Sequence, residues 1–191
     1  MSPIQTKTAL LVIDAQQSFM HRPYWSRDSA SGFIARLQAL VDRCRQAGIP
    51  VLQIFHVEEA GDWEDPFHPD SGLICALPGL DIAPAAVFRK SVHSAMFASS
   101  ATGRSLDAWL RRYGIERLIV TGIRTEQCCE TTTRHASDLG YRVTYAIDAT
   151  LTFPMTAGSG RTYTAQEIME RTELVLAERF ADVLPAEAIA L

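Results

Sequence analysis

The chain of 191 residues contains 47% hydrophobic and 21% charged residues, a composition typical of one folded globular domain and not of a disordered chain. Its net charge of −4 and the lack of a basic cluster argue against nucleic acid or an anionic membrane surface as a partner. No apolar run approaches the roughly 20 residues of a membrane span.

Short apolar runs alternate with amphipathic segments along the chain. Unbroken apolar runs rich in β-branched residues predict strands at residues 9–14, 50–57, 85–90, 117–122, 141–149 and 182–185. Apolar residues at helical spacing predict helices at residues 34–44, 106–113, 126–139 and 165–180. Residues 58–84 have no clear period, and a loop of that length in a compact domain is usually functional.

The alternation of strands and helices implies parallel βαβ units. We predict a single domain over residues 1–191 with a three-layer αβα fold of the α/β class, an open, mostly parallel six-stranded sheet with helices on both faces. Ligands of such sheets bind beyond the carboxyl ends of the strands, where the strand order reverses. The residues at those ends are Asp14, His56, Lys90, Gly122 with the residues after it, and Asp148.

Two adjacent cysteines lie where the fourth predicted strand gives way to a helix. With Thr125 as the N-cap, Cys128 falls in the first helical turn, where the helix end lowers the pKa of a thiol and can hold an oxyanion. Cys129 lies about 100° further around the helix and cannot face the same way. Free cysteine is often a small, buried core residue. That interpretation is favoured for Cys129, whereas for Cys128 core packing and a chemical role remain equally open.

Two charged residues at other strand ends bear on that choice. Taken singly, Asp14 is explained by capping a turn and Lys90 by a solvated strand end. Together with Cys128 they would supply a base, a cation and a nucleophile at the carboxyl ends of parallel strands, which predicts a catalytic site.

Three segments resemble the motifs of the isochorismatase-like cysteine hydrolases. VIDAQQSF, with Asp14, Gln16 and Phe19, is similar to the D-x-Q-x-x-F opening of that family, and FRKSVHSAMF, with Lys90, resembles its lysine segment. VTGIRTEQCCETTTRHASDLGY resembles the stretch G-[VI]-x-T-x-x-C-x-x-x-T-x-R-x-A, ending in G-Y. The resemblance covers about residues 8–153, and the three motifs are specific only as a set.

The resemblance implies a catalytic triad of Asp14, Lys90 and Cys128, because Cys128 and not Cys129 stands six positions after the motif glycine, Gly122. The implied reaction is acyl transfer without an organic cofactor. Asp14 takes the thiol proton, Cys128 attacks a carbonyl carbon, and water releases the acyl group from the thioester. The charge of Lys90 holds Asp14 and Cys128 in place.

The resemblance also implies the surroundings of the nucleophile. A cis peptide bond is expected between Ile123 and Arg124, with backbone N–H groups near Arg124 and Cys128 facing the substrate oxygen, which makes Ile123 and Arg124 candidates for substrate binding. Arg124 could bind a substrate carboxylate through two hydrogen bonds. The favoured alternative is that Arg124 is an exposed loop arginine or forms an ion pair between subunits. The candidates for the pocket wall are Phe19, Tyr24, Trp25 and Phe153. Core packing is an equal interpretation for Phe19 and Phe153.

We therefore expect a cysteine hydrolase that cleaves a C–N bond of a small amide or of a carbamoyl or ureido compound. One alternative is a vinyl-ether hydrolase of the isochorismatase type, although that enzyme lacks the nucleophilic cysteine. The other is a catalytically idle copy of the fold that serves binding or assembly. The intact set of Asp14, Lys90 and Cys128 argues against the idle copy.

Nicotinamidases of this family carry a metal-binding D-x-H, with a later histidine, after the second strand. The corresponding segment here, FHVEEAGDWEDPFHPD, has no D-x-H. His56, Glu58 and His68 offer an altered set of ligands, but an ordinary polar loop is the favoured interpretation. We therefore predict no metal and disfavour nicotinamide as the substrate.

The remaining expectations concern location and partners. The N-terminal apolar run is short and is interrupted by Asp14, unlike a signal peptide, so we predict a cytoplasmic protein with free thiols. The expected partners are a small-molecule substrate and, from the resemblance and the apolar tail PAEAIAL, further copies of the chain in a homodimer or larger homo-oligomer.

Overall fold

The structure, a computed structural model, describes residues 7–60 and 62–191. Its strands are β1 (Thr8–Ile13), β2 (Val51–His56), β3 (Ala86–Lys90), β4 (Arg117–Ile123), β5 (Arg142–Leu151), β6 (Met155–Thr156), β7 (Thr162–Tyr163) and β8 (Asp182–Leu184). Its helices are α1 (Arg27–Gln46), α2 (Leu106–Arg112), α3 (Glu130–Asp138) and α4 (Ala165–Leu176). None of these helices, within the described ranges, is long and apolar enough to cross a membrane.

Six strands form one sheet in the order β3-β2-β1-β4-β5-β8, and every neighbouring pair in it is parallel. The predicted six-stranded α/β sheet is confirmed. The chain builds outward from β1 through β2 to β3 and then returns to place β4 on the other side of β1. The strand order therefore reverses between β1 and β4, which is where folds of this kind bind ligands.

Helices cover both faces of the sheet and give the three predicted layers. Along β1, Leu10 and Val12 join the core that contains the apolar side of α1, whereas Leu11 and Ile13 join the core under α2, α3 and α4. Every residue of β1 is buried, as expected of a central strand in a parallel sheet that is covered on both faces.

Three local features differ from the sequence prediction. α1 begins at Arg27 and not near residue 34, because its first turn consists of polar and small residues that carry no apolar period. α3 begins at Glu130, after a π-helical turn over Thr125–Cys129. The antiparallel hairpin β6–β7 is not predicted by the pattern, since each of its strands has only two residues.

Candidate active site

The three residues of the expected triad meet at the carboxyl edge of the sheet. Asp14 directly follows β1, Lys90 is the last residue of β3, and Cys128 lies in the π-helical turn after β4. Lys90 Nζ donates hydrogen bonds to Asp14 Oδ2 at 2.7 Å and to Cys128 Sγ at 3.5 Å. The side chains of Asp14 and Lys90 have no exposed surface. The fold therefore brings the three groups together beside the reversal in strand order.

The backbone holds Asp14 in place as the chain leaves β1. Its φ angle is 53°, in the left-handed region that aspartate adopts more often than most residues. Its N–H donates to the carbonyl of Ile54 at 2.9 Å, and its own carbonyl accepts from the N–H of Gln16 at 2.8 Å. Oδ2 faces Lys90, whereas Oδ1 has no hydrogen-bond partner within the described part of the chain. Oδ1 is thus available to accept a proton.

Burial determines the charge state of the Cys128 thiol. Burial raises the pKa of Cys128 above its ordinary value, and the charge of Asp14 raises it further, whereas Lys90 acts to lower it. The thiol is therefore protonated at neutral pH. The sequence prediction of a lowered pKa is wrong, because it counts the helix end but not the removal of water from a side chain in a residue that is only 6% exposed.

Lys90 keeps its charge although it is buried. Burial alone would lower the pKa of Lys90, but the charge of Asp14 and the hydrogen bonds to Asp14 and Cys128 raise it above the ordinary value. The site therefore combines an ammonium–carboxylate ion pair with a neutral thiol.

The residues after Cys128 serve packing. Cys129 has no exposed surface and belongs to the core beneath α2, α3 and α4, which confirms the favoured interpretation of that residue. Glu130 is buried and binds Arg134, whose Nε donates to Oε1 at 3.1 Å, and Arg171 of α4, which donates to Oε2. These contacts join α3 to α4 directly after the nucleophile candidate and fix the turn that carries it.

Two histidines complete the surroundings of the triad. His56 Nδ1 lies 3.1 Å from Lys90 Nζ, and its Nε2 lies 2.6 Å from Glu58 Oε1. On the other side, His93 Nδ1 lies 3.8 Å from Cys128 Sγ. The sequence pattern identifies His56 as a strand end and as one of an altered set of possible metal ligands, and it does not identify His93. The available signal for His93 was its position three residues after Lys90, in the same motif segment.

Within the described residues, three side chains that could ligate a metal lie close together in the triad region. Ligand atoms of Asp14, His56 and Cys128 lie within 4.8 Å of one another. However, Lys90 Nζ already contacts all three, at 2.7, 3.1 and 3.5 Å, so an ammonium occupies the place that a cation would need. His68 is not in this group, and its Nδ1 accepts from a backbone N–H two residues on at 3.2 Å. The donor set fits the lysine ammonium and not an additional metal ion.

A cavity of about 120 Å³ opens beside the triad. Its lining residues are Asp14, Phe19, Arg22, Tyr24, His56, Glu58, Phe67, His93, Gln127 and Cys128. Of the predicted pocket residues, Phe19 and Tyr24 are in this lining. The predicted substrate-binding residues outside it are Trp25, Ile123, Arg124 and Phe153. Phe153 is 1% exposed, and its ring packs against that of Trp25 with centroids 5.8 Å apart.

Arg124 is buried and makes its contacts within the chain. Its Nη2 lies 3.0 Å from Glu126 Oε1, and its guanidinium lies 5.1 Å from the ring centroid of Tyr24 and 5.7 Å from that of Phe153. The interpretation of Arg124 as an exposed loop arginine is therefore wrong. The peptide bond that precedes it, between Ile123 and Arg124, is cis, at the position where the resemblance implies a cis bond.

Comparisons with known proteins identify the family and the relatives that the chain is similar to. The chain matches the model of the Isochorismatase domain over residues 8–184. It is 28% identical to Nicotinamidase 3 of Arabidopsis thaliana, over 95% of this chain and 86% of that protein. It is 30% identical to streptothricin hydrolase of Streptomyces noursei, over 78% of this chain and 51% of that protein. A solved structure of an isochorismatase-family protein from Chromobacterium violaceum superposes with a TM-score of 0.82 at 25% identity, covering 97% of this chain and 93% of that chain.

Proposed function

The chain belongs to the isochorismatase family, and we propose that it is a cysteine-dependent hydrolase that cleaves a C–N bond of a small amide or of a carbamoyl or ureido compound. One observation carries the proposal. The buried ammonium of Lys90 contacts both a carboxylate, Asp14 Oδ2 at 2.7 Å, and a thiol, Cys128 Sγ at 3.5 Å. A base, a cation and a nucleophile within reach of one another are the parts that acyl transfer needs.

In the first half-reaction, Asp14 accepts the thiol proton while Cys128 Sγ attacks the carbonyl carbon of the substrate. Because the resting thiol is protonated, this proton transfer has to precede or accompany the attack. Backbone N–H groups near Arg124 and Cys128, which the family resemblance implies, are expected to bind the developing oxyanion. The C–N bond then breaks, the amine leaves with the proton from Asp14, and the acyl group remains on Sγ as a thioester.

In the second half-reaction, Asp14 takes a proton from water and the resulting hydroxide attacks the thioester carbon. The C–S bond breaks, the acid product leaves, and the proton held by Asp14 returns to the thiolate. Lys90 contacts Asp14 and Cys128 throughout, so its charge stabilises whichever of the two is the anion.

The cavity beside the triad is space that is available to the acyl group. About 120 Å³ corresponds to the volume of about four water molecules. An acyl fragment of a few heavy atoms fits this space, between the aromatic rings of Phe19, Tyr24 and Phe67. Two relatives are named for the hydrolysis of nicotinamide and streptothricin, which supports hydrolysis of a C–N bond. The missing D-x-H segment still favours a substrate other than nicotinamide.

The test begins with a screen for ammonia release from small amides and ureas and continues with variants on the best substrate. Cys128→Ala should abolish turnover and keep the fold, since one small residue replaces another. Asp14→Asn should lose nearly as much, because an amide cannot take the thiol proton. The double variant should be little worse than either single one, as expected of residues that act as a unit.

The matched control is Cys129→Ala, which removes the neighbouring thiol from the core and should leave the chemistry running. Circular dichroism would show that each variant is folded. Turnover that persists in Cys128→Ala would exclude a cysteine hydrolase. Loss of turnover in Cys129→Ala alone would move the nucleophile by one residue. Cleavage of a vinyl ether without ammonia release would favour the isochorismatase-type alternative.

A further inference from the structure

The ammonium of Lys90 has three hydrogen-bond acceptors around it. These are Asp14 Oδ2 at 2.7 Å, His56 Nδ1 at 3.1 Å and Cys128 Sγ at 3.5 Å. An ammonium has three hydrogens and no lone pair, so Nδ1 of His56 has to accept. The single proton of the neutral imidazole is then on Nε2, which lies 2.6 Å from Glu58 Oε1.

We propose that His56 and Glu58 are positioning residues for the active site, in which His56 orients the ammonium of Lys90 and Glu58 fixes the tautomer of His56. This proposal rests on the proposed function, because it concerns the same nucleophile. In this proposal, neither His56 nor Glu58 contacts the reacting atoms. Their effect on Cys128 passes through Lys90.

His56 is held from several directions, as a positioning residue needs to be. Its backbone N–H donates to Gln16 Oε1 at 2.8 Å, and its carbonyl accepts from Gln16 Nε2 at 3.0 Å. The ring of Phe67 packs edge-on against the imidazole, with centroids 5.8 Å apart. His56 and Lys90 are also partners in the register of β2 and β3, so the sheet itself sets their separation.

The tautomer matters because the opposite one would be repulsive. With the proton on Nδ1, an N–H would face the ammonium of Lys90 at 3.1 Å, and Lys90 would turn away from it. Since the carboxylate of Glu58 only accepts hydrogen bonds, it favours the proton on Nε2. The ammonium is then fixed by Asp14 and His56, and its third hydrogen points to Cys128 Sγ, where the thiolate has to form.

The test uses three substitutions that separate the two imidazole nitrogens. In His56→Asn the amide oxygen can take the place of Nδ1 and still accept from Lys90. In His56→Gln the amide reaches the place of Nε2 near Glu58, and in His56→Leu neither acceptor remains. The readout is the rate constant for alkylation of Cys128 by iodoacetamide, followed by peptide mass spectrometry, because it requires the thiolate but no known substrate.

We expect His56→Asn to stay within about threefold of the unchanged protein, and His56→Gln and His56→Leu to be about tenfold to 100-fold slower, the range for losing one hydrogen bond to a charged group. Glu58→Ala should slow the reaction by a smaller factor than His56→Leu. The control is His68→Leu, which removes an imidazole from the same loop but not from the site, and it should leave the rate unchanged. With a substrate in hand, kcat should follow the same order while KM changes little.

Equal rates in the Asn, Gln and Leu variants of His56, whether fast or slow, would overturn the proposal, because the position of the acceptor would then not matter. An unchanged rate in Glu58→Ala would overturn the part assigned to Glu58. The proposed function fails separately, if turnover of a substrate persists in Cys128→Ala, whatever order the alkylation rates of the His56 variants follow.

Discussion

Gly122 lies where β4 passes closest to β1, directly beside the site. It is the register partner of Ile13, the residue before Asp14. A Cβ atom at Gly122 would lie 1.8 Å from the carbonyl oxygen of Ile13 and 2.7 Å from its nitrogen. The glycine also has φ of 125°, a backbone conformation that side-chain-bearing residues rarely adopt. We therefore expect Gly122→Ala to be among the most damaging single substitutions in the chain.

The size of the loss in stability follows from the steric clash between the added Cβ atom and Ile13. Real Cβ atoms essentially never come within 3.0 Å of another heavy atom, so the two strands have to separate by more than about 1 Å at this point. That separation breaks about two ladder hydrogen bonds at roughly 1 kcal/mol each, and the strained φ adds roughly 1–3 kcal/mol. The expected loss in the free energy of unfolding is about 4 kcal/mol, a large part of the total stability of about 5–15 kcal/mol.

Urea unfolding followed by circular dichroism measures this loss. Gly48→Ala is the matched control, because Gly48 also has a positive φ, 70°, but has nothing within 4 Å of the added methyl group. The control should lose only about 1–2 kcal/mol, from the left-handed conformation alone. If Gly122→Ala costs no more than Gly48→Ala, the close approach of β4 to β1 does not explain the glycine.

Three further predictions concern pH, metal and assembly. Burial raises the pKa of the Cys44 thiol to about 12, so between pH 9 and pH 12 the unfolded chain releases this proton while the folded chain keeps it. The free energy of unfolding should fall as the pH rises through that window, and urea unfolding of Cys44→Ala should show a fall smaller by about 1 kcal/mol per pH unit. Activity should survive exhaustive chelation, because Lys90 occupies the centre of the candidate ligands; a stoichiometric metal that tracks activity would contradict this. Light scattering should give at least twice the chain mass of 21.1 kDa, and a mass near 21.1 kDa at micromolar concentration would refute the expected homo-oligomer.

The sequence predicts the sheet well because its strands are buried on both faces and read as unbroken apolar runs. Residues 9–14 and 117–122 predict β1 and β4 to within a residue or two. The same approach fails where the apolar period is absent or too short. The first turn of α1 is polar, and β6 and β7 have two residues each, so neither carries a pattern.

The site is predictable only in part, because its chemistry depends on contacts between distant segments. The residue types at the strand ends indicate Asp14, Lys90 and Cys128 as candidates, and the family resemblance implies that they form a triad. The contact between His56 and Lys90 depends on the register of β2 and β3, which no local pattern encodes. The raised pKa of Cys128 depends on burial by the whole fold, whereas its position at the start of a helix predicts the opposite direction.

The position of Lys90 suits the proton transfer from Cys128 to Asp14 that we propose for this buried site. Before the transfer, the ammonium faces the Asp14 carboxylate at 2.7 Å and a neutral thiol at 3.5 Å. After it, Asp14 is neutral and Cys128 is the anion, so the net charge of the three groups is zero in both states. A buried net charge is costly, but moving a negative charge between two partners of the same ammonium creates none. Without Lys90, each state would contain one unpaired buried anion, and the favoured response would be a protonated Asp14 that can no longer act as the base.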